Sequence, residues 1–153
     1  MKRLTILPLA LLLITVYSCN QNGGSNVKNK ADSSFTTACY VAADGQDTAH
    51  LTLKNYKTKT EGDLIINYAK KDKNDGVVRG TFKGDTLFVD YTFRIGNKGY
   101  WYKNPLALLK KDGKLFLGVG KMETMLGKTY FRKDIPIDFS AGKFVFAPVE
   151  CKK

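Results

Sequence analysis

Histidine and tryptophan each occur once in the 153 residues, proline four times and methionine three times. A metal centre needs several ligands of compatible geometry, and His50 has no acid or cysteine beside it in the sequence. A Ser-His-Asp triad would rest on that one residue, and no G-x-S-x-G elbow is present. His50 therefore reads as an exposed strand residue. Acidic residues are also scarce, 14 against 25 lysines and arginines. Asp85 and Asp90, or Asp72 and Asp75, are the nearest approach to the paired carboxylates of sugar hydrolysis. Asp72-x-Asn74-x-Gly76 has the start of a calcium loop without its terminal glutamate. Turn chemistry accounts for these residues more simply. The expectation is a protein that is not an enzyme, with no catalytic residue, no metal site and no cofactor.

Beyond residue 16 there is no long hydrophobic run. Before it, Leu4 to Val16 is broken only by Thr5, Pro8 and Thr15, behind the charged start Lys2-Arg3. This run is shorter than the roughly 20 apolar residues of a spanning helix. With small Ser18 ahead of Cys19 it has the layout of a secretory signal. Val16-Tyr17-Ser18-Cys19 resembles the lipobox that directs lipid to a cysteine before cleavage, with Tyr17 bulkier than the usual occupant. The resemblance implies a signal peptide over 1–18, lipidation of Cys19 and a lipid anchor in the membrane. Residues 19–34 hold one large apolar residue, Val27, too little to offset chain entropy, and read as a flexible tether. The first acid after Cys19 is Asp32. By resemblance to envelope lipoproteins, that favours an outer membrane anchor facing the periplasm.

Residues 35–153 suffice for one domain with its own core and not for two. The formal charge of +11 falls to about +9 once Lys2 and Arg3 are removed. Such a charge suits anionic lipid, acidic polysaccharide or nucleic acid. Export argues against nucleic acid, and the lysines are dispersed rather than clustered, as on a solvated surface. With Cys19 taken by lipid, Cys39 and Cys151 remain. They lack C-x-x-C spacing, and an even remainder in an exported protein points to a structural disulfide; two free thiols are the alternative.

The domain alternates with period two. Ala49, Leu51 and Leu53 oppose Thr48, His50, Thr52 and Lys54. Leu64, Ile66 and Tyr68 share a face, as do Val78 and Phe82. Leu87, Val89, Tyr91 and Phe93 oppose Asp90, Thr92 and Arg94. Leu115, Leu117 and Val119 follow, then Phe144 and Phe146. Asp44-Gly45, Glu61-Gly62, Asp75-Gly76, Gly84-Asp85, Asn97-Lys98-Gly99 and Asp112-Gly113 read as turns between strands. The fold class is all-β: an antiparallel meander closing into a barrel of about eight strands, with a two-sheet sandwich as the alternative. A Cys39–Cys151 bridge would fasten the seam. Gly118 and Gly120 are placed to let their strand coil. Met122 to Gly142 is less regular, with a short strand at Thr129 to Arg132 and Ile135-Pro136-Ile137 covering one barrel end.

Tyr68 to Phe93 (YAKKDKNDGVVRGTFKGDTLFVDYTF), Gly142 to Cys151 (GKFVFAPVEC), Cys39-Tyr40 and the strand start Asp47-Thr48 resemble a set of small, uncharacterised lipoproteins of Bacteroidota-type envelopes. The resemblance covers nearly the whole domain and implies topology and location, with no activity attached. The layout is also similar to lipocalin-like envelope barrels, among them a copper-linked stress lipoprotein whose cysteine-pair metal motif is absent here.

Tyr100-Trp101-Tyr102 is the one aromatic cluster and the candidate binding surface. Exposed aromatics can stack on sugars or mark a partner surface. On a strand, Tyr100 and Tyr102 would share one face and Trp101 the other, so that one face is core. The expected function is a non-enzymatic, membrane-anchored binding module for a small molecule, a glycan or a protein, acting as a monomer. The alternative is an inhibitor or protective factor against a foreign enzyme such as lysozyme; a hydrolase ranks last. A hollow interior would favour a carrier. A filled one with a protruding loop would favour an inhibitor or adaptor.

Overall fold

A computed structural model describes residues 34–151. The expected signal peptide, Cys19 and nearly all of the expected tether lie outside the described residues. Ten strands follow one another: β1 (Thr36–Asp44), β2 (Asp47–Asn55), β3 (Thr60–Asn67), β4 (Asn74–Lys83), β5 (Thr86–Ile95), β6 (Tyr102–Lys111), β7 (Lys114–Leu117), β8 (Met122–Met125), β9 (Lys128–Phe131) and β10 (Val145–Val149). Eight of them close an antiparallel barrel in the order β1-β10-β7-β6-β5-β4-β3-β2, and β8 and β9 form a separate hairpin. The barrel is thus the meander expected from the period-two pattern, and the sandwich alternative is set aside.

Closure follows from the alternation. Ala49, Leu51, Leu53, Leu64, Ile66, Val78, Leu87, Val89, Tyr91, Phe93, Leu108, Leu115, Phe144 and Phe146 point inward and form one buried cluster. Tyr40, Tyr68, Leu106 and Leu117, partly buried, pack against it. The aromatic rings of Tyr91, Phe93, Phe144 and Phe146 lie in the interior, and the buried Tyr91 hydroxyl donates to the Leu64 carbonyl at 2.9 Å. Residues of the opposite parity, such as His50, Lys54, Asp63, Arg79 and Asp90, face outward.

The seam joins the first and last strands, with Cys39 opposite Val149. Cys39 and Cys151 are disulfide-bonded across it, their Cα atoms 5.2 Å apart. The bond lies outside the barrel, because inward-facing Tyr40 turns its neighbour Cys39 outward. It ties the first strand to the residue two positions beyond the last, so the chain cannot open there by fraying.

Two turn assignments are corrected. Glu61-Gly62 lies within β3 and Asp75-Gly76 within β4. The turns are instead at residues 56–59 and 68–73. At Gly62 a Cβ would collide with the Thr52 carbonyl, and at Gly76 with the Thr92 carbonyl and Phe93. These glycines allow neighbouring strands to close up where the sheet coils into a barrel, so they bend the wall rather than end a strand.

Gly118 and Gly120 are corrected in the opposite sense. Strand β7 stops at Leu117, and Val119 is exposed rather than inward. The chain leaves the wall and returns at β10 after a flap spanning residues 118–144. A side chain at Gly118 would collide with Ile137 and meet Phe139 at 2.8 Å, and one at Gly120 would meet Phe131 at 2.7 Å. The two glycines are sockets for the flap's own apolar side chains.

Strand β6 is not legible from alternation. Ala107 and Leu108 are consecutive and both fully buried, at 0% and 1% exposure. Leu108 belongs to the barrel core, while Ala107 lies on the outer side beneath the flap. Buried on both faces, this stretch loses its polar face and its period. β6 also runs beyond the end of β7, up to Tyr102. The Ala107 carbonyl accepts from Gly118 N–H at 2.8 Å, which fixes the side toward which alternate peptide groups point. Pro105, of the same parity, thus turns its missing N–H toward the stretch that β7 does not reach, and no ladder bond is lost.

Candidate binding surfaces

The barrel has two unlike ends. Chain entry at residue 34 and exit at Cys151 share one end with the turns at 56–59, Gly84-Asp85 and Asp112-Gly113. The other end carries the Gly45 turn, the loops at 68–73 and 96–101, and the root of the flap.

The aromatic cluster belongs to this second end. Tyr100 and Trp101 lie in the β5–β6 loop and only Tyr102 begins a strand. All three are exposed, Tyr100 at 74% and Trp101 at 58%, so the expectation that one face would be core is corrected. The loop is nevertheless built from the core upward. Tyr91 stacks on Phe93 with centroids 4.5 Å apart, and Phe93 on Tyr102 at 5.7 Å, a run of rings from the interior to the rim. The Arg94 guanidinium lies 4.7 Å from the Trp101 ring centroid, holding the indole by a cation–π contact. The Gly96 N–H donates to the Lys73 carbonyl at 2.8 Å, and Lys98 pairs with Asp72 at 4.0 Å. The 96–101 loop is therefore anchored to the 68–73 loop.

Beside it, Lys143 bridges Asp44 at 3.1 Å and Asp47 at 3.3 Å. The Ala69 N–H donates to Asp47 at 3.0 Å. That bond, reinforced by Lys143, holds the Asp47 carboxyl below the usual aspartate range, and the two aspartates hold Lys143 above the usual lysine range. This arrangement stitches the flap's return to the first turn and pairs each charge in it. Other acids of the turns and walls are also engaged: Asp75 with Lys73 at 3.0 Å and Asp90 with Lys103 at 2.7 Å. Asn74 donates to the Tyr68 hydroxyl at 3.5 Å. His50 is exposed on the outer face of β2 between Val41 and Ile65. Among the described residues no three His, Cys, Asp or Glu side chains gather as a metal would require.

Two features escape a reading of the sequence. The first is β8 and the turn that pairs it with β9; β9 itself is the short strand expected at Thr129 to Arg132. The turn residues are Leu126, at φ +51°, and Gly127, at +75°, the pair of left-handed conformations of a two-residue hairpin turn. Leucine in that conformation is strained, and Leu126 is 97% exposed. Met122 and Met125 are exposed beside it. The readable signal is x-Gly between two four-residue runs rich in Thr, Met and aromatics.

The second is a groove of about 570 Å³ between the flap and the outer wall of β4, β5 and β6. Phe88 and Pro105 form the wall side, and Ile135 and Ile137 the flap side. Ile135-Pro136-Ile137 thus covers the barrel's side, and the expectation that it caps an end is corrected. No sequence signal could have found this groove. Its two sides, such as Phe88 and Ile135, are distant along the chain.

No family model, no curated protein and no solved structure matches this chain.

Proposed function

We propose that the protein is a non-enzymatic binding module of the cell envelope, tethered through lipid on Cys19 and contacting its ligand with the outside of a filled barrel. One observation carries the reading: aromatic and aliphatic side chains occupy the barrel interior, while a groove of about 570 Å³ lies outside, under the flap. A carrier of the lipocalin type needs the reverse arrangement. The chain enters at the end opposite the aromatic loop, so a tether at residue 34 leaves Tyr100, Trp101 and the flap root pointing away from the anchoring surface. The outer membrane facing the periplasm is the location this reading adopts, with the protein as a monomer and nucleic acid no partner.

The test is photocrosslinking in intact envelopes. A photoreactive residue replaces Thr81 in the groove, Tyr100 in the aromatic loop or, as control, Asp112 at the entry end. Discrete adducts at Thr81 or Tyr100 and none at Asp112 are expected; equal labelling at all three, or none, refutes the reading. The anchor is tested separately. Incorporation of labelled palmitate should vanish in Cys19→Ala, and label that persists in that variant rules out lipid on Cys19.

The inhibitor reading has its own observation, the β8–β9 hairpin carrying a strained, exposed Leu126. Under it, the hairpin enters the cleft of a foreign enzyme such as lysozyme. Inhibition that disappears in Leu126→Asp would support that reading, and equal inhibition by the variant would dismiss the hairpin.

A further inference from the structure

The groove on the outer wall has a chemical character beyond its shape. Its cations come from both sides: Arg79 and Lys83 from the outward face of β4, Arg132 and Lys133 from the flap. Among the described residues the only acid lining it is Asp90, whose carboxylate is already held by Lys103 at 2.7 Å. Arg132 is engaged by Asp134. Arg79, Lys83 and Lys133 form no ion pair among the described residues. Arg79 senses Glu61, but the Glu61 carboxylate accepts its hydrogen bond from Lys59 at 2.9 Å. Positive charge is therefore in excess at one place, although Arg79 stands in register between Glu61 of β3 and Asp90 of β5.

The cations and the apolar residues occupy different depths. Arg79, Lys83, Arg132 and Lys133 are exposed, whereas Phe88, Pro105, Ile135 and Ile137 are half-buried. Positive charge rims the groove and hydrocarbon lines it. A simple anion would leave the apolar floor wet, and a neutral hydrocarbon would leave the rim unpaired. The volume of about 570 Å³ falls within the roughly 300–1,000 Å³ span of small-molecule sites.

We propose that this groove binds a single-chain amphiphilic carboxylate of the fatty-acid type. Its chain lies on Phe88, Pro105 and Ile135, and its carboxylate is held at the rim by Arg79 and Lys133. Arginine supplies a planar fork that meets both carboxylate oxygens, and the lysine adds a mobile point charge. The proposal rests on the reading of the protein as a binding module and names the ligand class for one of its outer surfaces.

The test uses the exported full chain carrying Cys19→Ser, so that no attached lipid competes. Dodecanoate, dodecyl maltoside and acetate are titrated by calorimetry, and the site is mapped by amide chemical shifts. Dodecanoate should bind with shifts confined to strands β4 to β6 and residues 130–137. The head alone and the uncharged chain should each bind at least about tenfold more weakly, since loss of either contact removes on the order of 1.4 kcal/mol. The pair Arg79→Glu and Lys133→Glu should weaken dodecanoate by at least about tenfold and leave the thermal transition in place. Thr81→Trp, which fills the groove without touching its charge, should block binding as well. Absence of dodecanoate binding, acetate binding as tightly as dodecanoate, or shifts located elsewhere would each overturn the proposal. Crosslinks from Thr81 in intact envelopes with no dodecanoate binding would sink the ligand class alone and leave the binding-module reading standing.

Discussion

The barrel wall and the flap are built from similar residues and held by different means. In the wall every strand has two hydrogen-bonded neighbours, and inward side chains meet a common core. In the flap, residues 118–144, backbone support comes from the β8–β9 ladder, the reciprocal bonds of Val119 with Asp138 at 2.8 Å, and Arg132 N–H to the Lys121 carbonyl at 2.8 Å. Within the flap, Gly118 and Gly120 seat Ile137, Phe139 and Phe131, and its backbone tie to the wall is the Gly118 N–H donating to the Ala107 carbonyl at 2.8 Å. The wall should therefore behave as one cooperative unit and the flap as a second, weaker one. Local opening of this kind spans the range from near zero to the global stability.

The largest expected effect sharpens that contrast at the seam. Cys39 and Cys151 are 112 positions apart, and a loop of that size contributes about 4–5 kcal/mol in the chain-entropy account. Cys39→Ser with Cys151→Ser should lower the urea-unfolding free energy of the wall by roughly that much. The slow amide exchange of β2 and β5 should fall with it, while the β8–β9 hairpin, which exchanges by local opening, should change little. If hairpin exchange rises in step with β5, the flap has no independent opening.

The next effect reverses the target. Gly118→Val places two methyl groups where Ile137 and Phe139 sit, an overpacking that costs about 1–3 kcal/mol. Fast exchange confined to residues 119–140, with Leu51 and Leu87 amides still protected, is the expected result. Loss of protection in β2 and β5 would show that the flap is part of the barrel's cooperative unit.

These contrasts explain what is readable in the sequence. Leu87, Val89, Tyr91 and Phe93 have one buried face each and one polar face between, so period two announces both strand and orientation. Ala107-Leu108 has cover on both sides, and the pattern vanishes although the residues are more buried. Glycine reads as punctuation at Glu61-Gly62 and Asp75-Gly76, yet its role there is set by the carbonyls of Thr52 and Thr92 on neighbouring strands, which local sequence does not contain. The cysteine pairing is legible because, with Cys19 set aside, an even remainder leaves a single partner for each thiol. Tyr100, Trp101 and Tyr102 are legible as a cluster but not as a loop, since the Asn97-Lys98-Gly99 turn leaves the strand start undetermined. Arg79, Lys83 and Lys133 look like dispersed surface cations; they converge only because the flap lies over the outer wall of β4 and β5.

Two smaller effects test single residues in each region. Tyr91→Phe removes the hydroxyl bonded to the Leu64 carbonyl and should cost the wall about 1 kcal/mol by denaturant titration. A neutral result would mean that the rest of the ladder satisfies Leu64 fully. In the flap, Leu126→Asn should relieve left-handed strain of about 1 kcal/mol and slow hairpin exchange without shifting the global transition. Faster exchange would place the stability of the turn in the Leu126 side chain instead.

Acid and alkali should separate the two regions once more. The Asp138 carboxylate accepts from the Ser140 hydroxyl and N–H, both at 2.7 Å, and these bonds hold it below the usual aspartate range. Its folded value lies below its unfolded value, so its contribution is present above about pH 4 and is lost as pH falls through the folded value. Asp47 behaves alike at the flap's return. Tyr91 is shifted upward, first by burial, as its place in the core dictates. For Tyr91 the folded value lies above the unfolded one. Its contribution is therefore complete below about pH 10, where the unfolded tyrosine begins to ionise, and is lost as pH rises through the folded value. Acid should accordingly free the flap first, with hairpin amides exchanging faster below about pH 4 while β5 stays protected. Alkali should act on the wall, lowering its global transition above about pH 10, and Tyr91→Phe should reduce that alkaline sensitivity, leaving the share of Tyr40 and Tyr68, which burial also shifts upward. Asp138→Asn, which cannot carry the charge, should exchange fast at neutral pH and lose the acid step. If wild type and Asp138→Asn loosen equally in acid, the flap is held by its apolar sockets and not by this carboxylate, and the division between a cooperative wall and a polar-latched flap has to be redrawn around Ile137 and Phe139.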